Sequence, residues 1–456
     1  MSKDIGIKQT YSSPRWTGEI ADCSLPVTFD TYSNCSFGCV YCFSQYQRAI
    51  GGAKYDYLNK NVKCINVEKM KKLFTGEIKS QFWEYLKDRR PIQYGGLSDQ
   101  FDEFERKYGQ TYEILKFLRE FQDGGYPICF STKSAWVFKD KKYQELFKGA
   151  YNWNVKFSII TLDEQNAKRI ELGVPSPKER LEAMKIATEL GMTTTLRLRP
   201  FIVGVSSKDY LELIREAHKA GATAVTTEFF CLEMRSIKTA REHYDVISKC
   251  AGFDIVEFYR KYSNGSGYLR LNRKIKEKYI KEMRQLCDEL GLRFYVSDAH
   301  FKEVSDNGCC CALPPEWEYS RGNFSYALQI AKRVGEVKWS DIESDMYFLD
   351  TFEWYLAQGF NCNSSEARAK YTDMTMKDYL HYLWNNPKMG QSPYKIFEKV
   401  LEPNGYDDKG DIIYKYNDKV TFEECTHSCS SCGGCGYKWI DQEPKKKKRR
   451  KKYETV

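Results

Sequence analysis

Three cysteines stand close together in Cys35-Ser-Phe-Gly-Cys39-Val-Tyr-Cys42, a CxxxCxxC run. Thiolates are soft donors that favour zinc or iron–sulfur clusters. Three of them at this spacing can hold three irons of a cubane and leave the fourth iron open to a substrate or cofactor. A structural zinc would need a fourth ligand nearby, yet no His or Cys follows Cys42 within twenty residues.

The chain has 17 cysteines, and ten of them fall in three clusters: Cys35/Cys39/Cys42, Cys309/Cys310/Cys311 and Cys425/Cys429/Cys432/Cys435. The opening MSKDIGIKQTYSSPRWTGE is polar and lacks a signal-peptide stretch. The expectation is therefore a cytoplasmic protein, in which clustered cysteines read first as metal ligands. The last cluster offers four thiolates in eleven residues, enough to close a second 4Fe–4S cluster or a zinc knuckle, with His427 inside the run. Its first three cysteines repeat CxxxCxxC, but no β/α pattern follows and a fourth cysteine competes for the open iron. Adjacent residues seldom ligate one metal, so at most one or two of Cys309, Cys310 and Cys311 are expected to bind metal; otherwise one donates hydrogen or a proton near the substrate. His300, in Asp298-Ala-His300-Phe-Lys302-Glu303, is either functional or a hydrogen-bonded loop histidine.

Short β-rich runs must position these groups: 26–32, 91–96, 126–133, 155–161, 193–201, 224–230 and 293–298. Helical patterns lie between them, at 67–87, 176–191 and 206–221. In the second, Ser176 is a natural N-cap, with Pro177 at the first helical position, Glu179 completing a capping box and Gly191 as the stop. Such alternation predicts an α/β fold, a partial or full (β/α) barrel of about six to seven parallel strands. Chemistry is then expected at the C-terminal ends of the strands. Residues 301–405 are aromatic-rich and helical, and 408–422 read as a hairpin. The expected division is an N-terminal segment (1–22), a barrel (23–305), a mixed or helical extension (306–407), a cysteine-rich region (408–440) and a basic tail (441–456).

The CxxxCxxC run after the first strand, with the β/α pattern behind it, resembles the radical SAM superfamily. Tyr94-Gly95-Gly96-Leu97-Ser98-Asp99, then Glu105, PICFSTKS (127–134) and RIELGVPSPKERLEAMKIATELGMTTTLRLRPFIVG (169–204) are similar to its spore photoproduct lyase-like branch, over about residues 26–305. The resemblance implies a catalytic 4Fe–4S cluster on Cys35, Cys39 and Cys42, with S-adenosylmethionine on the open iron and an electron donor such as flavodoxin or ferredoxin. It places Tyr41 beside the adenine and Gly95 and Gly96 along the methionine moiety. Ser131, Lys133, Ser158 and Thr161 become candidates for the ribose or carboxylate. Arg197 and Arg199 share one face of their strand, where they need a cofactor carboxylate, a substrate phosphate or an ion pair with Glu228. Photoproduct lyase uses a cysteine to return hydrogen; Cys129 and Cys231 are conceivable donors or plain core residues. The C-terminal cysteines depart from that branch.

The 456 residues are 42% hydrophobic, 29% charged and 15% aromatic, which excludes disorder throughout. Eight of the 71 basic residues lie in 445–452, leaving 63 against 62 acidic ones elsewhere, so the net charge of +9 belongs to a tail. That tail suits DNA or another polyanion, a localising signal or a solubilising end. No apolar run is long enough for a membrane span. Radical SAM chemistry on a nucleic-acid base or nucleotide is the leading expectation. The alternatives are a maturase acting on a peptide or protein, and a non-enzymatic iron–sulfur or zinc protein that binds nucleic acid.

Overall fold

The structure is a computed structural model and describes residues 6–10, 14–44, 62–122, 124–233, 237, 241–264, 268–306, 310–313, 321–350, 374–420 and 422. All seven expected strands form and join one sheet in chain order. They are β1 (Val27–Phe29), β2 (Ile92–Tyr94), β3 (Ile128–Thr132), β4 (Trp153–Ser158), β5 (Thr193–Phe201), β6 (Ala224–Phe229) and β7 (Arg293–Val296). Every neighbouring pair is parallel. Every residue of β4 is buried, as expected of a parallel sheet covered on both faces. A short edge strand, Arg15–Trp16, runs antiparallel to β1.

Strand pairing does not close this sheet into a barrel. The gap between Arg15–Trp16 and β7 is bridged instead by the loop before β1. Lys302 pairs with Asp22, Ser325 Oγ donates to the Asp22 carbonyl at 3.0 Å, and the Phe324 N–H donates to the Ala21 carbonyl at 2.8 Å. The fold is thus a partial α/β barrel, split along one side.

Helix Pro177–Glu189 begins as its residues dictate. The Ser176 hydroxyl accepts from the Glu179 N–H, and Glu179 accepts from the Ser176 N–H, a capping box. The 67–87 stretch breaks into Val67–Phe74 and Trp83–Lys87. Gly76 between them has φ +79°, and the Trp83 ring occupies the space a Cβ would need, 2.6 Å away. A continuous helix has no room for that ring. The hairpin also sits further upstream than expected, pairing Leu401–Tyr406 with Ile412–Tyr416. Its turn is held by Asp407, whose carboxylate accepts from the N–H groups of Lys409 and Asp411 at 2.9 Å each. Residues 408–411, the start of the expected hairpin, therefore belong to its turn.

One hydrophobic core runs without a break from the barrel to this C-terminal unit, joining Trp16 and Phe29 to Phe348, Trp384 and Tyr414. Among the described residues no helix is long and apolar enough to cross a membrane. The basic tail, Cys309, and Cys425, Cys429, Cys432 and Cys435 lie outside the described residues.

Candidate active site

The CxxxCxxC run leaves β1 as a loop pinned at several points. The Val40 N–H donates to the Ile170 carbonyl at 3.0 Å, Gly173 N–H to Phe37 carbonyl at 2.8 Å, and Cys42 N–H to Cys39 carbonyl at 3.1 Å. Ser36 N–H donates to Asp102 at 2.6 Å. A Cβ on Gly173 would come within 3.2 Å of the Phe37 carbonyl oxygen, so this approach suits glycine. Cys39 is buried, whereas Cys35 and Cys42 are part-exposed.

A charged cluster that the sequence reading missed lies beneath the loop. Tyr41 donates its hydroxyl to Glu171, and Glu171 pairs with Arg180 at 2.7 Å, both charges wholly buried. Arg180 also donates to the Ser158 carbonyl at 2.6 Å. Glu171 therefore ties the cysteine loop to the helix that follows β4 and to the end of β4 itself. The only signal in sequence was a Glu and an Arg nine residues apart around Pro175 and Pro177, which says nothing of pairing.

The Gly95-Gly96 turn after β2 packs against the end of β1. Asp30 accepts from the N–H groups of Leu97 (2.8 Å) and Ser98 (3.0 Å) and pairs with Arg15 at 2.6 Å. Gly95 has φ +81°, and a Cβ there would lie 3.0 Å from Gln100; one on Gly96 would lie 2.7 Å from Thr28 Oγ1. Gly95→Ala is expected to cost about 1–2 kcal/mol through its left-handed backbone. A urea midpoint shifted at constant m-value would show this, and an unshifted midpoint would contradict it. Asp99 accepts from Thr132 Oγ1 at 2.9 Å and from the Lys133 N–H at 2.6 Å, fastening this turn to the end of β3. Glu105 is buried among Tyr32, Tyr143 and the Thr111 and Tyr112 N–H groups, away from the loop sulfurs.

The Lys133 ammonium lies over the Tyr41 ring, 5.7 Å from its centre, and forms no ion pair among the described residues. Ser131 is level with Lys156 across β3 and β4, and Ser158 with Arg197 across β4 and β5. Ser158 Oγ accepts from Arg197 at 3.2 Å. Arg199 pairs with Glu228, which also accepts from Ser297 at 3.3 Å. Arg197 has no such carboxylate among the described residues, and burial together with Arg199 holds its guanidinium down at about 10. Lys156, buried, donates to Gln93 at 2.8 Å. The polar face inside the barrel is thus net cationic. Thr161 donates to Asp209 at 2.6 Å and belongs to the loop after β4.

Cys129 is fully buried and Cys231 part-exposed. Cys310 and Cys311 differ from expectation: they enter the lower half of the barrel and do not sit at its mouth. Thr226 donates to the Cys310 carbonyl at 2.8 Å, and Asn154 to the carbonyls of Cys311 (3.3 Å) and Ala312 (3.0 Å). Polar side chains on β4 and β6 satisfy this backbone, which draws the segment inward.

Beyond β7, Asp298 accepts from the Phe229 N–H at 3.0 Å and pairs with buried Lys276 at 2.5 Å. His300 Nδ1 lies 3.2 Å from that ammonium, with Glu398 and Arg273 alongside. Burial and Lys276 hold His300 at about 3, against the pull of Asp298. An unfolded chain protonates this ring near ~6.5. Between those values the unfolded state binds the extra proton, so stability falls as the pH is lowered, by up to about 1.4 kcal/mol per unit. His300→Gln is expected to flatten the acid limb of the urea stability curve between about pH 6 and about pH 4. A wild-type slope in the variant would contradict that.

Among the described residues no three His, Cys, Asp or Glu side chains converge closely enough to hold a metal ion. The fit of a cluster to the 35–42 loop therefore rests on its donors and anchoring. Three soft sulfurs sit on one pinned loop, and burial pushes the Cys39 thiol up to about 12 despite the Lys133 charge. A cationic cluster would remove that proton and supply the missing counter-charge. The donor set fits, with Cys35, Cys39 and Cys42 as the holders.

Residues 30–205 match the model of the Radical SAM superfamily. An uncharacterized protein of Methanocaldococcus jannaschii is 25% identical over 215 residues, which are 47% of this chain and 72% of that protein. Spore photoproduct lyase complexed with dinucleoside spore photoproduct aligns at TM-score 0.43 and 18% identity, over 64% of this chain and 78% of the other. Streptococcus suis SuiB bound to precursor peptide SuiA aligns at TM-score 0.38 and 12% identity, over 62% and 51%. The CxxxCxxC loop lies inside the matched region, so residues 30–205 are a radical SAM domain and the chain that carries it is an enzyme.

Proposed function

We propose that the enzyme acts on a nucleic-acid base or nucleotide, in repair or modification. A 4Fe–4S cluster on Cys35, Cys39 and Cys42 with bound S-adenosylmethionine would supply a 5′-deoxyadenosyl radical that abstracts a substrate hydrogen. The carrying observation is the pinned cysteine loop beside a net-cationic barrel interior. Gly95 and Gly96 would let a ligand approach the main chain, and Lys133, over the Tyr41 ring, would meet a cofactor carboxylate as a point charge. Arg197 and Lys156 are the groups that an anionic substrate would neutralise. Resemblance over about 26–305 and the basic run 445–452 both support a polyanionic substrate. Flavodoxin or ferredoxin is the proposed electron donor.

The four C-terminal cysteines favour a second reading, modification of a peptide or protein with an auxiliary cluster or zinc. Deuterated DNA, RNA and peptides offered to reduced, oxygen-free enzyme separate the two. Deuterium in 5′-deoxyadenosine from a polynucleotide is the expected result. Label from peptide alone would overturn the substrate assignment.

A further inference from the structure

Thiols from distant stretches of the chain meet where the split barrel is bridged. Cys23 lies in the loop before β1, Cys129 on β3, and Cys310 and Cys311 in the segment after β7. The Cys23 thiol lies within electrostatic reach of Cys311 and Cys310. Cys23 and Cys311 are both part-exposed and pack on a small apolar cluster of Leu25, Cys129 and Leu313. Cys129 is wholly enclosed and donates through sulfur to the Cys311 carbonyl at 3.5 Å.

The two thiols are held in register by their backbones. Asn154 and Thr226 fix 310–312 from the barrel side, and Arg293 donates to the Leu313 carbonyl at 3.1 Å. On the other edge, the Asp22–Lys302 pair and the Phe324–Ala21 hydrogen bond hold the Cys23 loop. A cavity of about 20 Å³ beside Cys23 and Cys310 has room for no more than a water molecule. Among the described residues no three donors converge here to hold a metal ion.

We propose that Cys23 and Cys311 are a redox-active dithiol whose disulfide latches the two edges of the open barrel. The oxidant is a small disulfide of the glutathione class. One protein thiolate attacks it and releases one small thiolate. The second protein thiolate then displaces the other, forming the protein S–S bond. Two electrons pass to the small disulfide, and the two protein protons end on the two released thiols. Oxidised, the latch fixes the 310–313 segment as the floor beneath Lys156 and Arg197; reduced, that segment is held by hydrogen bonds and apolar packing without a covalent tie. The latch concerns the barrel seam and stands independently of the substrate reading.

The test uses full-length protein kept free of oxygen and incubated with oxidised glutathione. Remaining thiols are then alkylated, and unreduced digests are mapped by mass spectrometry. A Cys23–Cys311 cross-linked peptide pair is expected, with a thermal midpoint raised by about 5 °C and restored by dithiothreitol. Cys23→Ser should lose both the cross-link and the shift. Alkylation of both thiols in wild type, or a dominant link from Cys23 to Cys310 or Cys129, would overturn the proposal.

Discussion

Cys39→Ala is expected to stop formation of 5′-deoxyadenosine, lowering it by more than about 100-fold, beyond the loss typical of removing an outer partner of a metal ligand. Cys39 is the middle donor of the loop and the one whose sulfur is enclosed, where an uncompensated thiolate is least tolerable. Loss of that sulfur leaves two ligands on a cluster that needs three. Cys35→Ala and Cys42→Ala should behave alike. Cys432→Ala should spare cofactor cleavage if the C-terminal set forms, as proposed, an auxiliary site. The measurement is product yield per enzyme under reducing, oxygen-free conditions. Equal loss in Cys39→Ala and Cys432→Ala would defeat the assignment of the two sites.

Arg180→Met should carry the largest stability effect, about 3–5 kcal/mol, because it strands a buried Glu171 without its counter-ion. Both partners are shielded from water, so the charge left behind can recruit little solvent. Tyr41 and the Ser158 carbonyl each lose an ordered neighbour as well. The damage should spread to the cysteine loop, since Val40 and Cys39 pair with Ile170 and Glu171 through the backbone. Urea unfolding of the variant should show the lower midpoint, and iron retention should fall with it. Glu171→Gln should also be destabilising, because an amide still accepts from Tyr41 but leaves buried Arg180 without its counter-ion. A variant as stable as wild type would show that this pair does not brace the loop.

The barrel was legible because its signals are local. The short strand-forming runs VKFSIIT and TTTLRLRPF mark β4 and β5, and Ser176, Pro177 and Glu179 mark a helix start whatever surrounds them. Departures came where distant side chains decide. Trp83 fills the space over Gly76 and ends a helix that periodicity would continue. Asp407 sets the hairpin's turn at 407–411 and so shifts the hairpin upstream of the expected 408–422. Of the site, CxxxCxxC was legible because its spacing is itself the chemistry. The Glu171–Arg180 brace, Lys156 beside Gln93 and the Cys23–Cys311 contact were not, since each joins elements whose proximity only the folded sheet creates. Arg197 and Arg199 show both sides of this. Alternation put them on one face, but only the tertiary structure gives Glu228 to Arg199 and leaves Arg197 on Ser158.

The most direct test is Mössbauer spectroscopy of iron-reconstituted, oxygen-free protein in which Cys425, Cys429, Cys432 and Cys435 are all replaced by alanine. The account predicts a single 4Fe–4S cluster in which one iron changes its signal when S-adenosylmethionine is added. Zinc in place of iron, or four equivalent irons that ignore the added cofactor, would contradict it.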